Sequence, residues 1–305
     1  MARPDDPAPG QEFLTTREVA AYLRIKERRV YELVRRRAIP CTRVTGKWLF
    51  PKALVDLWLA EAVDGDRAIR PPPVIAGSHD PLLDWAVKES GCALALLPGG
   101  SLDGIARFAQ AQAMVAGLHL FDADSGEFNL PALGAGLAGP PLARQGVVLL
   151  EWAWRRQGLV VAAGNPHGVR GLRDLKDKGL RVIRRQKEAG SHLLLAHLLE
   201  REGLDLADLA FAEETARGET DLGLAILEGG AEAGLAVEAV ARTLRLGFVP
   251  LMRERYDLLL RRRDYFEPPL QTLFAFARSE AFAKRAAEMG GYEVTGLGTV
   301  RYNGP

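Results

Sequence analysis

Three times in this chain a short apolar, strand-like segment runs into a glycine–serine pair and then into a helix. Val74-Ile75-Ala76 leads to Gly77-Ser78, the run from Cys92 to Leu97 leads to Gly100-Ser101, and Arg181-Val182-Ile183 leads through a basic link to Gly190-Ser191. Units of this kind build parallel sheets, with ligands outside the carboxyl ends of the strands. The glycine lets a ligand come close to the backbone, the serine offers a hydroxyl, and the helix start adds free N–H groups and the positive end of its dipole. One such turn says little. Three suggest convergence on a single small ligand.

Composition narrows the class. At 305 residues and 48% apolar, the chain is too long for one compact core and suits two or three domains. A net charge of +1 leaves no global basic excess, although the N-terminal part is locally basic. Cys41 and Cys92 stand far apart and outside any CxxC, which fits a reduced cytoplasmic protein without disulfides or a metal cluster. The five histidines, at positions 79, 119, 167, 192 and 197, are scattered, and there is no GxSxG elbow, Walker-A loop or HExxH. No catalytic residue, metal or cofactor is therefore expected. Residues 1–12 are polar and proline-rich, expected as a disordered tail and not a signal peptide. No window is long and apolar enough to span a membrane.

Residues 13–62 read as a module of their own. Thr15, Thr16 and Glu18 open a capped amphipathic helix. A turn through Arg24-Ile25-Lys26 leads to a second helix, where Val30, Leu33 and Val34 make a narrow apolar stripe and arginines cover the rest. Thr42-Arg43-Val44, a Thr45-Gly46 turn and Lys47 to Phe50 give a hairpin with a basic tip, and Pro51 opens a third helix. Helix, turn, arginine-rich helix and hairpin suit duplex DNA, with the second helix in the major groove and the hairpin along the backbone. The residues expected at DNA are Thr16, Arg28, Arg29, Tyr31, Arg35, Arg36, Arg43, Lys47 and Trp48. The run TTREVAAYLRIKERRVYELVRRRAIPCTRVTGKWLFPKALVDLWL resembles the excisionase-type, MerR-like winged helix-turn-helix, with Ala38 where many such sequences have glycine.

A charged, proline-rich linker is expected over 63–73, followed by alternating strands and helices over 74–305. Val147 to Leu150 and Leu159 to Ala163 read as two separate strands, and so do Phe248 to Leu251 and Tyr256 to Leu260. The segments AGLHLFDADSGEFNLP, GNPHGVRGLRDL, RRQKEAGSHLLL and GGAEAGLAVEAVA resemble the type-2 periplasmic-binding-protein fold, in the cytoplasmic form found fused behind such winged helices. The expected architecture is thus multidomain: a small α-rich winged helix-turn-helix, then a two-lobed α/β domain. Lobe 1 is expected at about 74–150 and 252–305, and lobe 2 at about 151–251.

In the cleft between such lobes, Ser78, Ser101 and Ser191 are the expected donors, with Ser191 also a helix cap. Arg185 is placed toward the ligand, and Arg184 alternates away. His192 and Thr220 complete the set; His119 either faces the cleft or is a hydrogen-bonded structural histidine. Related sequences carry Gly-Ser-Gly-Thr-Arg where Ala189-Gly190-Ser191-His192 stands here. The resemblance implies a one-component transcription regulator sensing a small anion such as molybdate or tungstate; because one winged helix buries little surface, a homodimer on the operator is expected. Two alternatives stay open: a larger anionic metabolite or cofactor precursor as ligand, and a solute-binding protein without a regulatory role.

Overall fold

The computed structural model describes residues 12–44, 46–61, 71–136 and 146–304. Nearly all of the expected tail, most of the linker and Thr45 of the hairpin turn lie outside the described residues. The described residues fall into two compact units, one up to residue 61 and one from residue 71 onward.

The first unit runs β1 (Phe13–Thr15), α1 (Thr16–Tyr22), α2 (Glu27–Arg35), β2 (Thr42–Val44), β3 (Lys47–Pro51) and α3 (Lys52–Glu61). Thr15 caps α1 in a capping box, its hydroxyl accepting from Glu18 N while the Glu18 carboxylate accepts from Thr15 N at 2.7 Å. The strands form an antiparallel sheet in the order β1-β3-β2. Its core holds Leu14, Val19, Val30, Ile39, Phe50 and Val55. Of the predicted apolar stripe on α2, Val30 is fully buried and Leu33 and Val34 are half-buried against that core. This is a winged helix-turn-helix.

The second unit begins with β4 (Val74–Gly77), α4 (Pro81–Ser90), β5 (Ala95–Pro98), α5 (Ser101–Ala109), β6 (Val115–Leu118) and α6 (Leu130–Gly136). It continues with β7 (Val147–Val161), α7 (Arg173–Asp177), β8 (Arg181–Arg185), α8 (Gly190–Arg201), β9 (Ala210–Ala216) and α9 (Glu219–Leu227). It closes with β10 (Ala233–Val237), α10 (Glu238–Thr243), β11 (Gly247–Arg261), α11 (Pro268–Ala277), α12 (Glu280–Met289), β12 (Tyr292–Glu293) and β13 (Val300–Asn303). Among the described residues the sheet runs β5-β4-β6-β11-β7-β10-β8-β9, with β12 and β13 also paired to β7. The repeated units behave as expected: β4 lies parallel to β5 and β6, and β8 parallel to β9 and β10.

Both expected strand pairs prove to be single strands. β7 and β11 each run 15 residues and pair with each other antiparallel along almost their whole length. In their middles Arg155, Gln157 and Glu254 are buried partners of one another, while Arg156 and Arg253 beside them are exposed. Arg155 stands directly opposite Glu254 across the ladder. On either side of that point the chain belongs to a different core. Trp152 and Ala153 pack with Leu82, Tyr256, Phe274 and Phe282 in lobe 1; Leu159 and Val161 pack with Val182, Leu195 and Leu235 in lobe 2. Trp152 is fully buried, with ring centroids 5.2 Å from Phe282 and 6.4 Å from Phe274. Two lobes joined by two long strands make a two-lobed α/β domain of the periplasmic-binding-protein kind.

Candidate functional site

In the second unit the three glycine–serine turns and the crossing strands come together. Ser78 follows β4 and Ser101 opens α5, and their hydroxyl oxygens are 2.8 Å apart in a buried position. The Ser101 oxygen also accepts from the His119 backbone N–H at 3.2 Å. Two hydroxyl protons share one mutual hydrogen bond, so the pair keeps one proton for a third partner. Gly100, at φ 98°, makes the turn before Ser101.

The His119 ring is buried, and its Nδ1 lies 2.9 Å from Glu254 Oε2. An ionised carboxylate can only accept, so Nδ1 carries a proton and Nε2 faces away from Glu254. It faces Gly190: a Cβ there would lie 2.9 Å from the ring Cε1 and from the His119 carbonyl, and 3.0 Å from Nε2. Glycine at 190 thus lets the start of α8, from lobe 2, rest on a lobe 1 histidine. Gly100 makes the matching approach, since a Cβ on it would be 2.7 Å from the Glu188 carbonyl oxygen. A third contact has Glu219 N donating to His79 Nδ1 at 3.4 Å. Leu102 N also donates to the Glu188 carbonyl at 3.4 Å, and the Phe121 and His197 rings lie 5.1 Å apart across the same boundary.

Ser191 is not the cap of α8. Ala189 occupies the cap position without a side-chain hydrogen bond, and Ser191 stands in the first turn. The Ser191 side chain is 1% exposed, and its Oγ has no hydrogen-bond partner among the described residues. Of the first-turn N–H groups, His192 N donates to the Ala189 carbonyl at 3.0 Å and Leu102 N to the Glu188 carbonyl at 3.4 Å. Hydroxyl groups from both lobes thus gather around His119.

The charged residues here are already matched. Arg155 donates to Asp80 Oδ2 at 2.9 Å and to Glu254 Oε1, and Gln157 donates to the same Glu254 oxygen at 2.9 Å. Burial alone would raise the Glu254 pKa, but Arg155 and then His119 hold it down to about 2. Asp80 also caps α4 through Leu83 N and accepts from the Tyr292 hydroxyl at 2.7 Å. A neighbouring pair, Arg255 and Asp257, is joined by Asn129, which donates to Asp257 at 2.7 Å. Burial pushes Asp257 up to about 6 against the pull of Arg255 and Asn129. Asn129 and Asp122 organise the loop after β6: Asn129 Oδ1 accepts from Leu120 N, and Asp122 caps Ser125.

Arg185 and Thr220, expected at the ligand, stand differently from their prediction. Arg185 is buried as expected, but its Nη1 is held by Glu219 at 2.7 Å and its Nη2 by the Arg217 carbonyl. Glu219 itself accepts from Val237 N, so this pair locks α9 to β8 and β10 and is no free charge for a ligand. Thr220 is exposed and lines a separate pocket with His79 and Trp85. His192 is half-buried with Nδ1 unpartnered, and its pKa is lowered by burial and then by Arg184 and Lys187. Arg184 turns outward over the Phe211 ring. Arg155, Gln157, Glu254, Asp80 and Glu219 also belong to this region, and none of them stands out as a site residue in the sequence.

In the first unit the exposed face of α2 carries Arg28, Tyr31 and Arg35 at helical spacing, opposite Val30. Arg28 and Arg29 both pair with Glu32, at 3.7 and 2.7 Å. Arg36 is exposed, and Thr16 is a half-buried first residue of α1. On the wing, Arg43 lies over the Trp48 ring at 5.4 Å and Lys47 is exposed.

Residues 84–278 match the PBP superfamily domain. The chain belongs to that family. Residues 13–63 match a helix-turn-helix domain. A relative of nearly the same extent is the uncharacterized protein YvgK of Bacillus subtilis (strain 168), 26% identical over 305 residues, 94% of this chain and 96% of its own length. An uncharacterized protein from a ferredoxin gene 5' region of Clostridium pasteurianum is 30% identical over 92 residues, 30% of this chain and 73% of that protein. Among solved structures, a putative phosphate ABC transporter substrate-binding protein from Clostridium perfringens superposes with a TM-score of 0.52 at 11% identity, over 73% of this chain and 98% of that one. The sulfate-binding protein SubI of Mycobacterium tuberculosis gives 0.50 at 15% identity, over 73% and 86%. The fold is shared with both. A helix-turn-helix domain of the DNA-binding kind is thus joined to a solute-binding domain, and no helix among the described residues is long and apolar enough to cross a membrane.

Two outcomes are expected from this geometry. Replacing Arg43 and Lys47 with alanine should weaken DNA binding across all sequences and lower the salt slope by about one for each phosphate that is no longer neutralised. An unchanged slope in salt-series binding assays would show that the wing does not touch DNA. Gly190→Val should hold the lobes apart by colliding with His119, raising the radius of gyration in X-ray scattering with little change in unfolding temperature. Scattering identical to the parent would contradict the close approach.

Proposed function

We propose that the chain is a one-component transcription regulator whose two-lobed domain closes on a small oxyanion, with molybdate and tungstate the first candidates. The observation that carries this reading is the Ser191 hydroxyl, buried and without a partner among the described residues, in the first turn of a helix that rests on His119. Ser78 and Ser101 bring one spare hydroxyl proton from the other lobe. A tetrahedral oxyanion without protons accepts from every side, and neutral hydroxyl and N–H donors suit it. The guanidinium groups of Arg155 and Arg185 are neutralised by the protein's own carboxylates, so donor geometry and not free charge would select the ligand. Phosphate and sulfate, bound by the two solved proteins of like fold, belong to the same chemical class. A larger anionic metabolite would need Arg185, which Glu219 already holds.

In this reading the winged helices act in pairs on two half-sites, because one small module buries too little surface for tight operator binding. A homodimer in the cytoplasm is the expected working form, with no catalytic step.

The test is calorimetry with molybdate, tungstate and sulfate. Loss of one hydrogen bond to a charged ligand costs roughly 1.5–3 kcal/mol, so Ser191→Ala should weaken the bound anion about ten- to hundredfold. DNA affinity without anion should stay unchanged. If none of the three anions binds, or if Ser191→Ala binds as the parent does, the oxyanion reading fails.

A further inference from the structure

A cavity of about 220 Å³ is lined by His79, the residue after Ser78. Its walls come from both lobes: α4 and α12 on one side, and the start of α9 on the other, with α10 between them. The floor is apolar, made by Trp85, Val240, Leu244 and Met289. The rim is polar. Thr220 and Thr243 contribute hydroxyls, and Arg285 and Lys88 contribute two cations against the single carboxylate of Asp84.

The two cations differ. Lys88 is paired with Asp84 at 2.7 Å. Arg285 lies over the Trp85 ring at 5.7 Å and leans on Glu288 at 3.6 Å, while its Nε is buried without a hydrogen-bond partner among the described residues. Trp85 packs against Phe276, with ring centroids 5.4 Å apart, and carries the Arg285 guanidinium over its ring, so an apolar wall stands beside an incompletely satisfied cation. That pairing fits a flat ring bearing one negative group: the ring would lie on the wall of Trp85, Val240, Leu244 and Met289, and the anionic group would take Arg285 and the Thr220 hydroxyl near the start of α9. A neutral ring would leave the guanidinium edge desolvated, and a bare inorganic anion would leave the apolar floor uncovered.

We infer that this cavity is a second ligand site, for a small aromatic carboxylate, distinct from the serine site and bordered by both lobes. The inference goes beyond the oxyanion reading and does not rest on it. His79 links the two regions: it follows Ser78, lines the cavity, and accepts from Glu219 N in the opposite lobe. A molecule seated there touches both lobes and so favours the arrangement in which they are close.

The test uses the full chain with benzoate, salicylate and indole-3-carboxylate, and benzamide as the neutral control, by saturation-transfer NMR and calorimetry. At least one carboxylate should bind, with benzamide about tenfold weaker or more, since the charged hydrogen bond is lost. Arg285→Gln, a change at a partly exposed position, should weaken the carboxylate about tenfold and leave benzamide unaffected. Trp85→Ala should weaken both, and Ser191→Ala neither. Failure of all three carboxylates to bind, equal binding of benzamide, or full binding by Arg285→Gln would each overturn the proposal. Molybdate titrated on the same variants keeps the two readings separate. Carboxylate binding without molybdate binding would sink the oxyanion site and leave this one standing, and the reverse result would do the opposite.

Discussion

The second unit depends on one buried guanidinium. Arg155, 1% exposed in the middle of β7, is held between Glu254 on the facing strand and Asp80 at the start of α4. Taking such charges out of water costs several kcal/mol per ion, recovered only when every partner is in place. Here they are nearly all in place: Glu254 receives Arg155, Gln157 and His119, while Asp80 receives Arg155, Leu83 N and Tyr292. Removing one member would strand the others, a loss on the order of 3–5 kcal/mol. The network therefore pins where β7 and β11 leave one core and enter the next.

From that point the rest follows outward. Glu254 orients His119, and His119 offers its outer edge to Gly190. Because residue 190 lacks a side chain, the first turn of α8 can come down on the imidazole and carry Ser191 with it. The Ser78–Ser101 pair is tied to the same histidine through its backbone N–H. Hinge, histidine and serine turns form one connected set, and under the proposed function a ligand held by those turns would act directly on the strands that join the lobes. Packed interiors of this sort move between discrete arrangements and do not deform gradually.

Much of this was legible in the sequence. The glycine–serine turns were legible as strand-to-helix turns of parallel units, and two of their glycines, Gly100 and Gly190, prove to be where the lobes approach each other. The winged helix was readable from Val30, Leu33 and Val34 set among arginines. The hinge was not. Arg155, Gln157 and Glu254 interrupt apolar runs, and a charged residue in a sequence usually marks solvent. Only the register that puts Arg155 opposite Glu254 shows that each charge is the other's solvent substitute. Arg185 misled for the same reason: its alternation correctly placed it inside, but its partner Glu219 lies 34 residues later in the chain. Thr220, expected as a further cleft hydroxyl after Glu219, lines the neighbouring cavity.

The central claim is that anion uptake between the lobes and DNA binding by the winged helix are coupled. Coupling between two binding sites is reciprocal, so the same factor must appear from either side. The direct measurement is the molybdate dissociation constant by calorimetry, with and without saturating operator duplex. The account predicts a change of about fivefold or more, matched by an equal change in operator affinity when molybdate is saturating. One molybdate affinity, the same with and without DNA, would contradict it.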